Sequence, residues 1–397
     1  MKVLEINSVC GIRSTGRICT DIADVLRKEG HDCLVAYGRE NVPDKYKEIS
    51  YRIGNNMSVK TDAFLTRIFD NAGFNSKKAT KEFISKIKEY DPDIIHLHNL
   101  HGYYINLEIL FKYLKESKKP VIWTLHDCWA FTGHCSHYVT KGCERWKTGC
   151  FSCPKKKAYP GSLIFDNSKK NYKKKKELFT SLENLTIVTP SEWLAREARA
   201  SFLGKYEVIA IPNGVNLETF KPTASDFRGK YHLKDKKIIL GVATAWSEGK
   251  GLKLFSELSQ QPDDSYKVVL VGITPEFGKK LPDSILKIPR TNSIEELAEI
   301  YTTADVFLNL GKAETMGLTT VEAMACGTPV VTSNCTAVPE VVTPDGGVVA
   351  EELTAECIME CIKEVLSKEY KNTRSNAEKY EKNAQYMKYI ELYKKCE

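Results

Sequence analysis

The stretch ETMGLTTVEAMACGTPVV, residues 314–331, encodes the start of a helix, its end and the strand that follows it. Gly317 and the small residues after it favour a helix entry, Gly327 and Pro329 end the helix, and an apolar strand begins at once. The free N–H groups and the dipole of such a helix start favour a phosphate or diphosphate. A helix that leads directly into an apolar strand is also the repeating unit of an α/β fold.

Two carboxylates, Glu314 and Glu322, flank this helix start. They would repel a phosphate, whereas they accept hydrogen bonds from hydroxyl groups. The set therefore predicts a ligand with both a diphosphate and sugar diols, which is a sugar nucleotide. For Glu322 the alternative is a carboxylate that only complements the helix dipole, an effect of about 0.3–1 kcal/mol.

The composition is typical of a soluble globular protein, since 42% of the 397 residues are hydrophobic and 27% are charged. A chain of this length predicts two domains. The first residues, MKVLEINSVC, include Glu5 and Asn7 where a signal peptide would be unbroken and apolar. An odd number of cysteines, 13, does not suggest a disulfide framework. Because no apolar run reaches transmembrane length, we expect a cytoplasmic protein.

Strand-like apolar runs alternate with helix-length segments along the chain, which predicts an α/β fold with parallel sheets. The strands predicted in the first half are Val3–Ile6, Leu34–Tyr37, Ile94–His98, Val121–Leu125 and Leu185–Thr189. Those in the second half are Lys237–Thr244, Tyr266–Gly272, Asp305–Leu310 and Pro329–Ser333. We expect two facing, Rossmann-like doubly wound domains with a ligand cleft at the carboxyl ends of their strands.

The domain boundaries follow from this alternation. We expect an N-terminal acceptor domain at residues 1–205, with a cysteine-rich insertion at about 128–160, and a sugar-nucleotide-binding domain at 206–372. The last segment, 373–397, is predicted as a helix that packs back across the body. Its apolar residues at helical spacing are Ala377, Tyr380, Ala384, Met387 and Ile390.

Taken in order, several motifs resemble those of the family 4 glycosyltransferases, which are retaining, metal-independent enzymes of the two-Rossmann GT-B fold. The matching stretches are STGR at 14–17, PDIIHLHN at 92–99, TLHD at 124–127, TPSEW at 189–193, PNGV at 212–215, KG at 250–251 and the Glu314/Glu322 pair. The resemblance covers nearly the whole chain. It is closest to the bacterial transferases that assemble capsule, exopolysaccharide or O-antigen repeats, including those of colanic-acid type.

The resemblance implies a role for each residue of the donor site. Glu322 would hold the ribose diol, Glu314 would hold the hydroxyls of the donor sugar, and Lys250 would pair with the diphosphate as the glycosidic bond breaks. The backbone amides expected at the diphosphate belong to Gly317, Leu318 and Thr319. Many members of the family carry an arginine where this chain has Ala245, and Arg13, Arg17 or Arg290 could replace that charge.

In the first domain the resemblance implies that His126 lies in the cleft near the donor sugar. The alternative for His126 is a hydrogen-bonded histidine at the end of a strand. The loop Gly11–Gly16 would lie under the acceptor or a phosphate, where Gly16 permits a close approach of the backbone and Arg17 faces an anion.

The predicted function is transfer of a sugar, with retention, from a UDP- or GDP-sugar to a growing, lipid-linked glycan. The implied mechanism is front-face attack, in which the leaving diphosphate accepts the acceptor's proton, so no covalent nucleophile and no catalytic cofactor are expected. A GT-B sugar-nucleotide epimerase would use the same pocket without an acceptor. A zinc-stabilised basic binding protein that has lost catalysis is the non-enzymatic alternative, which Ala245 favours.

Four cysteines between residues 128 and 160 predict a structural zinc site. They are Cys135, Cys143, Cys150 and Cys153, the last two in a CxxC motif, and four thiolates suit tetrahedral Zn²⁺. His134 or His137 could replace one of them. The alternative is four thiols packed without a metal.

Nine lysines lie between Lys155 and Lys176 in a chain of net charge +7. The simplest interpretation is a solvated loop and helix. A surface that contacts anionic lipid headgroups is the functional interpretation, and it would make the protein peripheral on the inner face of the membrane. The run lacks interleaved aromatic residues, so nucleic acid is not expected as a partner.

Overall fold

The computed structural model describes residues 1–396 and contains two compact units. Unit 1 comprises Met1–Pro212 and the C-terminal segment from Asn383, and unit 2 comprises Asn213–Lys382. The division falls after the boundary expected at residue 205, because Glu207–Ala210 forms the last strand of the first sheet.

Unit 1 is built on a seven-stranded parallel sheet in the order β3-β2-β1-β4-β5-β6-β7. The strands are β1 (Lys2–Asn7), β2 (Asp32–Tyr37), β3 (Ser50–Arg52), β4 (Ile94–Leu97), β5 (Val121–Thr124), β6 (Leu185–Thr189) and β7 (Glu207–Ala210). The helices are α1 (Arg13–Lys28), α2 (Asn56–Phe69), α3 (Lys77–Tyr90), α4 (Leu107–Ser117), α5 (Ser168–Phe179) and α6 (Glu192–Ala200). The strand order reverses between β1 and β4.

Helices cover both faces of this sheet, as the apolar strands require. Alternate residues of β1 point to opposite faces. Leu4 and Ile6 join a core with Phe83 of α3, whereas Val3 joins Ile22 of α1 on the other face.

Unit 2 repeats the plan with a six-stranded parallel sheet in the order β10-β9-β8-β11-β12-β13. The strands are β8 (Lys237–Val242), β9 (Tyr266–Val271), β10 (Leu286–Ile288), β11 (Val306–Asn309), β12 (Val330–Ser333) and β13 (Gly347–Ala350). The helices are α7 (Phe227–Lys230), α8 (Leu252–Ser259), α9 (Pro275–Gly278), α10 (Ile294–Thr303), α11 (Leu318–Ala325), α12 (Ala355–Ser367) and α13 (Ser375–Glu378). Here the strand order reverses between β8 and β11.

The structure replaces the single helix predicted at 373–397 by α13 and a longer helix, α14 (Lys382–Cys396), which belongs to unit 1. Of the residues predicted to face inward, Ala377, Tyr380 and Ile390 are buried and Ala384 is exposed. Tyr389 and Tyr393, which the spacing did not include, are buried with Ile390 in the core on the α1 face of the sheet. None of the helices described in residues 1–396 combines the length and hydropathy needed to cross a bilayer.

Candidate functional site

The predicted donor residues of unit 2 lie at the carboxyl end of its sheet, at the point where the strand order reverses. β8 leads into the short turn Glu248–Lys250, and β11 leads into the loop that contains Glu314. Because β8 and β11 are neighbours, the two loops meet. The amide of Lys312 donates a hydrogen bond to the carbonyl of Gly249 at 2.9 Å.

Lys250 and Glu314 form an ion pair at this place. Their side chains are 40% and 19% exposed, so both remain accessible to a ligand. The backbone of Glu314 is fixed by Thr336, whose hydroxyl accepts from the Glu314 N–H at 3.0 Å and donates to the Glu314 carbonyl at 2.7 Å. An anion that binds Lys250 must therefore share the ammonium with Glu314 or displace the carboxylate.

The helix α11 begins at Gly317, which has the left-handed φ of 86°. A Cβ at this position would lie 3.3 Å from Nδ2 of Asn309, which donates to Oγ1 of Thr320 at 2.9 Å. No side chain caps the helix, and its first turn contains no acidic residue. The amides of Leu318 and Thr319 therefore lie at a helix start whose orphan donors and dipole suit an anion.

Glu322 lies farther along α11 and is positioned by Tyr301 of α10. The Tyr301 hydroxyl donates to Oε2 of Glu322 at 3.0 Å. Tyr301 is fully buried, and burial together with the charge of Glu322 raises its pKa well above the ordinary value. Tyr301 therefore stays a neutral donor that holds the carboxylate in one orientation.

Ala245 lies exposed in the loop after β8. Of the arginines considered as replacements, Arg290 follows β10, which β9 separates from β8. Arg13 belongs to unit 1 and pairs with Glu40 at 2.6 Å. Within unit 2, Arg290 therefore follows a strand that is not a neighbour of β8, the strand that leads to Lys250.

In unit 1 the predicted residues Gly16 and Arg17 lie in the N-terminal part of α1, next to the loop after β1. The amide of Gly11 donates to the carbonyl of Gly16 at 2.9 Å and closes the loop. A Cβ on Gly16 would lie 3.1 Å from Cγ2 of Val9, so a glycine permits this close approach. Arg17 is exposed in the first turn of α1.

His126 follows β5 and contacts His98, which follows the neighbouring strand β4. Nδ1 of His98 is 2.9 Å from Nε2 of His126, and Nε2 of His98 is 3.3 Å from Oε2 of Glu5. Burial lowers the pKa of His126 to about 4 and takes the pKa of His98 well below its ordinary value, so both rings are neutral at pH 7. Burial also raises the pKa of Glu5 to about 8. The contact with His98 thus restrains the orientation of His126.

Asp127, next to His126, is held by two partners. One oxygen lies 2.8 Å from Nε2 of His101, and the other accepts the amide of Trp129 at 2.8 Å. Burial alone raises the pKa of this carboxyl, but the attraction and hydrogen bond of His101 outweigh it and lower the pKa to about 2. The carboxylate is ionised, and both of its oxygens have partners.

The cluster of Glu5, His96 and His98 is the one set of three or more ligand-type side chains in residues 1–396 whose ligand atoms lie within 4.8 Å of one another. His96 already uses both ring nitrogens, Nε2 with the Thr124 hydroxyl at 2.8 Å and Nδ1 with the Tyr393 hydroxyl at 2.7 Å. His96 therefore has no free lone pair for a metal. Its hydrogen bond to Tyr393 joins α14 to the sheet.

The structure brings the four predicted zinc ligands only partly together. Cys135 and Cys153 share a hydrogen bond, and the Cys150 sulfur accepts the amide of Gly133 at 3.1 Å. Within the described residues, no three of these four cysteines have sulfur atoms that all lie within 4.8 Å of one another. Thiolates on one zinc ion lie about 3.8 Å apart, given a Zn–S distance of about 2.3 Å. The zinc site stays a prediction.

The lysine run is not a uniformly solvated surface. Lys175 is buried, and its Nζ donates to the carbonyls of Trp129 at 2.7 Å and Thr132 at 3.1 Å. Burial lowers the pKa of Lys175 to about 7. Lys174 pairs with Glu108 at 2.6 Å.

The predicted site residues do not include Tyr301 and His98, which contact Glu322 and His126. Tyr301 lies on a different helix from Glu322, and no local pattern indicates it. The sequence does contain a signal for His98. His98 ends the predicted strand Ile94–His98, and His126 directly follows the next predicted strand, Val121–Leu125. Neighbouring parallel strands bring such residues to the same edge of a sheet.

Two family models match the chain. The model described as Glycosyltransferase Family 4 matches residues 15–219, and the model described as Glycosyl transferases group 1 matches residues 224–385.

Curated proteins and solved structures are similar to this chain. The colanic acid biosynthesis glycosyl transferase WcaC of Escherichia coli K12 is 26% identical over 89% of this chain and 88% of that protein. The alpha-monoglucosyldiacylglycerol synthase of Acholeplasma laidlawii is 24% identical over 65% of this chain and 63% of that protein. The solved structure of HepE from Anabaena, in complex with UDP, has a TM-score of 0.69 and 13% identity, with 100% of both chains covered.

The structural similarity shows a GT-B fold, with two parallel-sheet Rossmann-like units, as predicted. The first family model alone spans more than half of the chain. The chain is a glycosyltransferase and belongs to Glycosyltransferase Family 4.

Proposed function

We propose that this glycosyltransferase moves a sugar, with retention, from a nucleotide-diphosphate sugar to a growing, lipid-linked glycan of a surface polysaccharide. The observation that supports this most directly is the Lys250–Glu314 ion pair beside the uncapped start of α11. An ammonium and a helix start attract a diphosphate, and a carboxylate accepts hydroxyl groups. A sugar diphosphate satisfies both at once.

In the proposed complex the diphosphate contacts the amides of Gly317–Thr319. It also replaces Glu314 as the ion-pair partner of Lys250. Glu314 then accepts hydrogen bonds from the donor sugar, and Glu322, held by Tyr301, accepts them from the ribose diol. HepE, solved with UDP, supports a nucleotide donor of this kind.

The proposed reaction needs no metal and no protein nucleophile. The acceptor hydroxyl oxygen bonds to the anomeric carbon while the bond from that carbon to the diphosphate breaks, and the hydroxyl proton passes to the leaving diphosphate. Lys250 stabilises the negative charge that develops on the leaving group. His126, fixed by His98, would position the donor sugar.

The acceptor and the location are proposed from the relatives and the charge distribution. Colanic acid biosynthesis in the name of one relative, and a diacylglycerol in the name of another, support a polysaccharide or lipid-linked acceptor. We place the protein in the cytoplasm, peripheral on the inner face of the membrane, through Lys155–Lys176.

We also propose a structural zinc ion at Cys135, Cys143, Cys150 and Cys153, which would require the insertion to close around the metal. Elemental analysis of purified protein is expected to find about one equivalent of zinc, and less than about half an equivalent would refute the site.

A screen of UDP- and GDP-sugars by ligand-detected NMR, followed by a turnover assay, tests the function. We expect one donor to bind and to release nucleoside diphosphate only when an acceptor glycan is present. Formation of an epimer without an acceptor, or binding without any turnover, would contradict the proposed transfer.

A further inference from the structure

Three ionisable side chains of unit 1 form a continuous series of contacts from the interior of the sheet toward its carboxyl edge. Glu5 lies on β1 and is completely buried, and His98, which follows β4, is almost completely buried. His126, which follows β5, is half-buried. Nδ1 of His98 lies 2.9 Å from Nε2 of His126, and Nε2 of His98 lies 3.3 Å from Oε2 of Glu5. The series therefore connects a buried carboxyl group to a partly exposed ring.

The contact between Glu5 and His98 needs one proton. Neither Oε2 of Glu5 nor Nε2 of His98 has a hydrogen-bond partner within residues 1–396. Leaving both of these buried atoms without a partner is costly, whereas one proton between two atoms 3.3 Å apart satisfies both. One of the two atoms therefore donates to the other, and the ionisation of Glu5 decides which one.

The surroundings of Glu5 favour the protonated acid. The groups that face it are thiols, imidazoles and phenols from several elements of unit 1, namely Cys10, Cys19, Cys33, His96, His98, Tyr389 and Tyr393. The Cys33 thiol donates to Oε1 at 3.6 Å, which leaves Oε2 to carry the proton. Burial raises the pKa of Glu5 to about 8 and takes the pKa of His98 well below its ordinary value, so this pair is neutral at pH 7.

At the other end of the series, the ionisable groups near His126 are Asp127, His101, His96 and His98. Burial is the largest effect on the pKa of His126 and lowers it to about 4, although the charge of Asp127 opposes the shift. His126 therefore does not take up a second proton at neutral or alkaline pH. Because each ring then holds one proton, the hydrogen bond at one nitrogen decides the state of the other nitrogen.

We propose that Glu5, acting through His98, selects the nitrogen of His126 that carries its proton. With Glu5 protonated, Oε2–H donates to Nε2 of His98, Nδ1–H of His98 donates to Nε2 of His126, and His126 keeps its proton on Nδ1. With Glu5 ionised, both hydrogen bonds reverse. Nε2–H of His98 then donates to Oε2, Nε2–H of His126 donates to Nδ1 of His98, and Nδ1 of His126 presents a lone pair.

The ionisation of Glu5 consists of two proton transfers and one release. The proton on Oε2 passes to Nε2 of His98, the proton on Nδ1 of His98 passes to Nε2 of His126, and the proton on Nδ1 of His126 leaves to water. The transfers join atoms that are 3.3 Å and 2.9 Å apart. A completely buried carboxyl group thus exchanges a proton with solvent without moving, because the proton leaves from the half-buried ring.

The consequence for turnover rests on the proposed function, which puts His126 near the donor sugar. Nδ1 is the nitrogen of His126 that does not contact His98. With Glu5 protonated, Nδ1–H is a donor to a sugar oxygen, whereas with Glu5 ionised the bare Nδ1 accepts from a sugar hydroxyl. Glu5 is therefore a positioning residue that sets how the ring holds the sugar.

¹⁵N NMR of the ligand-free full chain, labelled in its histidines, tests the proposal, because the shifts of Nδ1 and Nε2 distinguish the tautomers. The signals of His126 are those that disappear in H126N. We expect His126 of the parent to carry its proton on Nδ1 at pH 6 and on Nε2 at pH 10, with a midpoint near the pKa of Glu5, about 8.

Two variants should abolish this change of tautomer. E5Q has a carboxamide that does not titrate, and H98N removes the ring that joins Glu5 to His126, so His126 should keep one tautomer from pH 6 to pH 10 in each. E116Q, which replaces a glutamate of α4 that is 65% exposed, should behave as the parent does. A constant tautomer in the parent would overturn the proposal, and so would a change that persists in E5Q or H98N.

Turnover gives a second readout. The ratio of kcat/KM of the parent to that of E5Q should change severalfold between pH 7 and pH 9, whereas the ratio of the parent to E116Q should stay constant. A constant ratio of the parent to E5Q would overturn the role of Glu5 in turnover. Because the NMR titration contains no donor, a negative result there is distinct from a failure of the sugar-nucleotide assignment, which the donor screen tests.

Discussion

Lys250 and Glu314 have opposite charges that serve two parts of one proposed ligand. Their contact is partly exposed, so solvent screens it and it contributes little to folding. Its consequence is for binding, because in the proposed complex a diphosphate replaces the Glu314 carboxylate as the partner of the Lys250 ammonium. The same exchange would direct Glu314 toward the sugar.

Substitution K250M is therefore expected to lower kcat by about 10²–10³, as the loss of one charge-stabilising donor does. The free energy of unfolding should change by less than about 1 kcal/mol. Steady-state kinetics and denaturant titration measure the two quantities. The control is K253M, one turn away on α8, where the lysine is 75% exposed and pairs with Glu257. Unchanged kcat in K250M would exclude its catalytic role.

Glu5 predicts an unusual dependence of stability on pH. Burial raises its pKa from the ordinary value of 4.5 to about 8, although hydrogen bonds from the Cys19 and Cys33 thiols oppose the shift. Between these values the folded chain binds a proton that the unfolded chain has lost, so this contribution to stability is complete below pH 4.5 and is lost as pH rises through about 8.

The variant E5Q lacks this titration. Between pH 5 and pH 8, the stability of the parent relative to E5Q should fall by up to about 1.4 kcal/mol per pH unit. Urea titrations at several pH values measure the difference. A constant difference across this range would contradict the raised pKa.

At the scale of elements, the start of α11 combines a left-handed glycine with uncapped amides. The structure has this helix at Leu318–Ala325, between Gly317 and Gly327, where the sequence predicts its start and end. Gly317 is required because its φ of 86° strains any residue with a Cβ. It also keeps the surface next to the amides clear.

We expect G317A to lower stability by about 1–2 kcal/mol and to weaken nucleotide binding at least tenfold. The matched control is G30A, since Gly30 also has a positive φ, of 77°, but has nothing within 4 Å of its Cβ position. It should lose similar stability and keep its affinity. Thermal unfolding and calorimetric titration distinguish the two, and equal affinities for the two variants would argue against an anion site at α11.

The edge strands of the two sheets are the strands that the sequence does not predict. The sequence indicates every interior strand of both sheets, because a strand buried on both faces is a continuous apolar run. It misses β3, β7, β10 and β13, which are the four edges. Edge strands are short and partly solvated, so their apolar pattern is weak. Missing β7 also placed the domain boundary too early.

At the scale of the molecule, the chain returns to unit 1 through α14. The apolar spacing in this region predicts a helix that packs back, and Ala377, Tyr380 and Ile390 are buried as that spacing requires. Two helices replace the single one, Ala384 is exposed, and the spacing did not include Tyr389 and Tyr393, which are buried. The Tyr393 hydroxyl forms a hydrogen bond with Nδ1 of His96, a residue 297 positions away in the sequence. No local pattern can predict a contact of this separation. The predicted donor residues, in contrast, belong to motifs that follow strands, and such motifs can be read from the local sequence.

The variant Y393F should destabilise unit 1 by about 1–3 kcal/mol, because it leaves a buried nitrogen of His96 without a partner. Y51F is the control, since Tyr51 stacks on Phe83 at 5.8 Å and is only half-buried. Denaturant titration monitored by fluorescence measures both. Equal stabilities of Y393F and Y51F would show that the His96 contact does not hold the helix.

A calorimetric titration of UDP and GDP into the parent, E322A and E356A tests the central claim most directly. We predict that one nucleotide binds the parent and that E322A loses about 1–3 kcal/mol, which is about 5- to 150-fold in affinity. E356A, which removes an exposed glutamate from α12, should bind as the parent does. Equal affinity of E322A and the parent would contradict the assignment of Glu322 to the ribose, and with it the donor site proposed in unit 2.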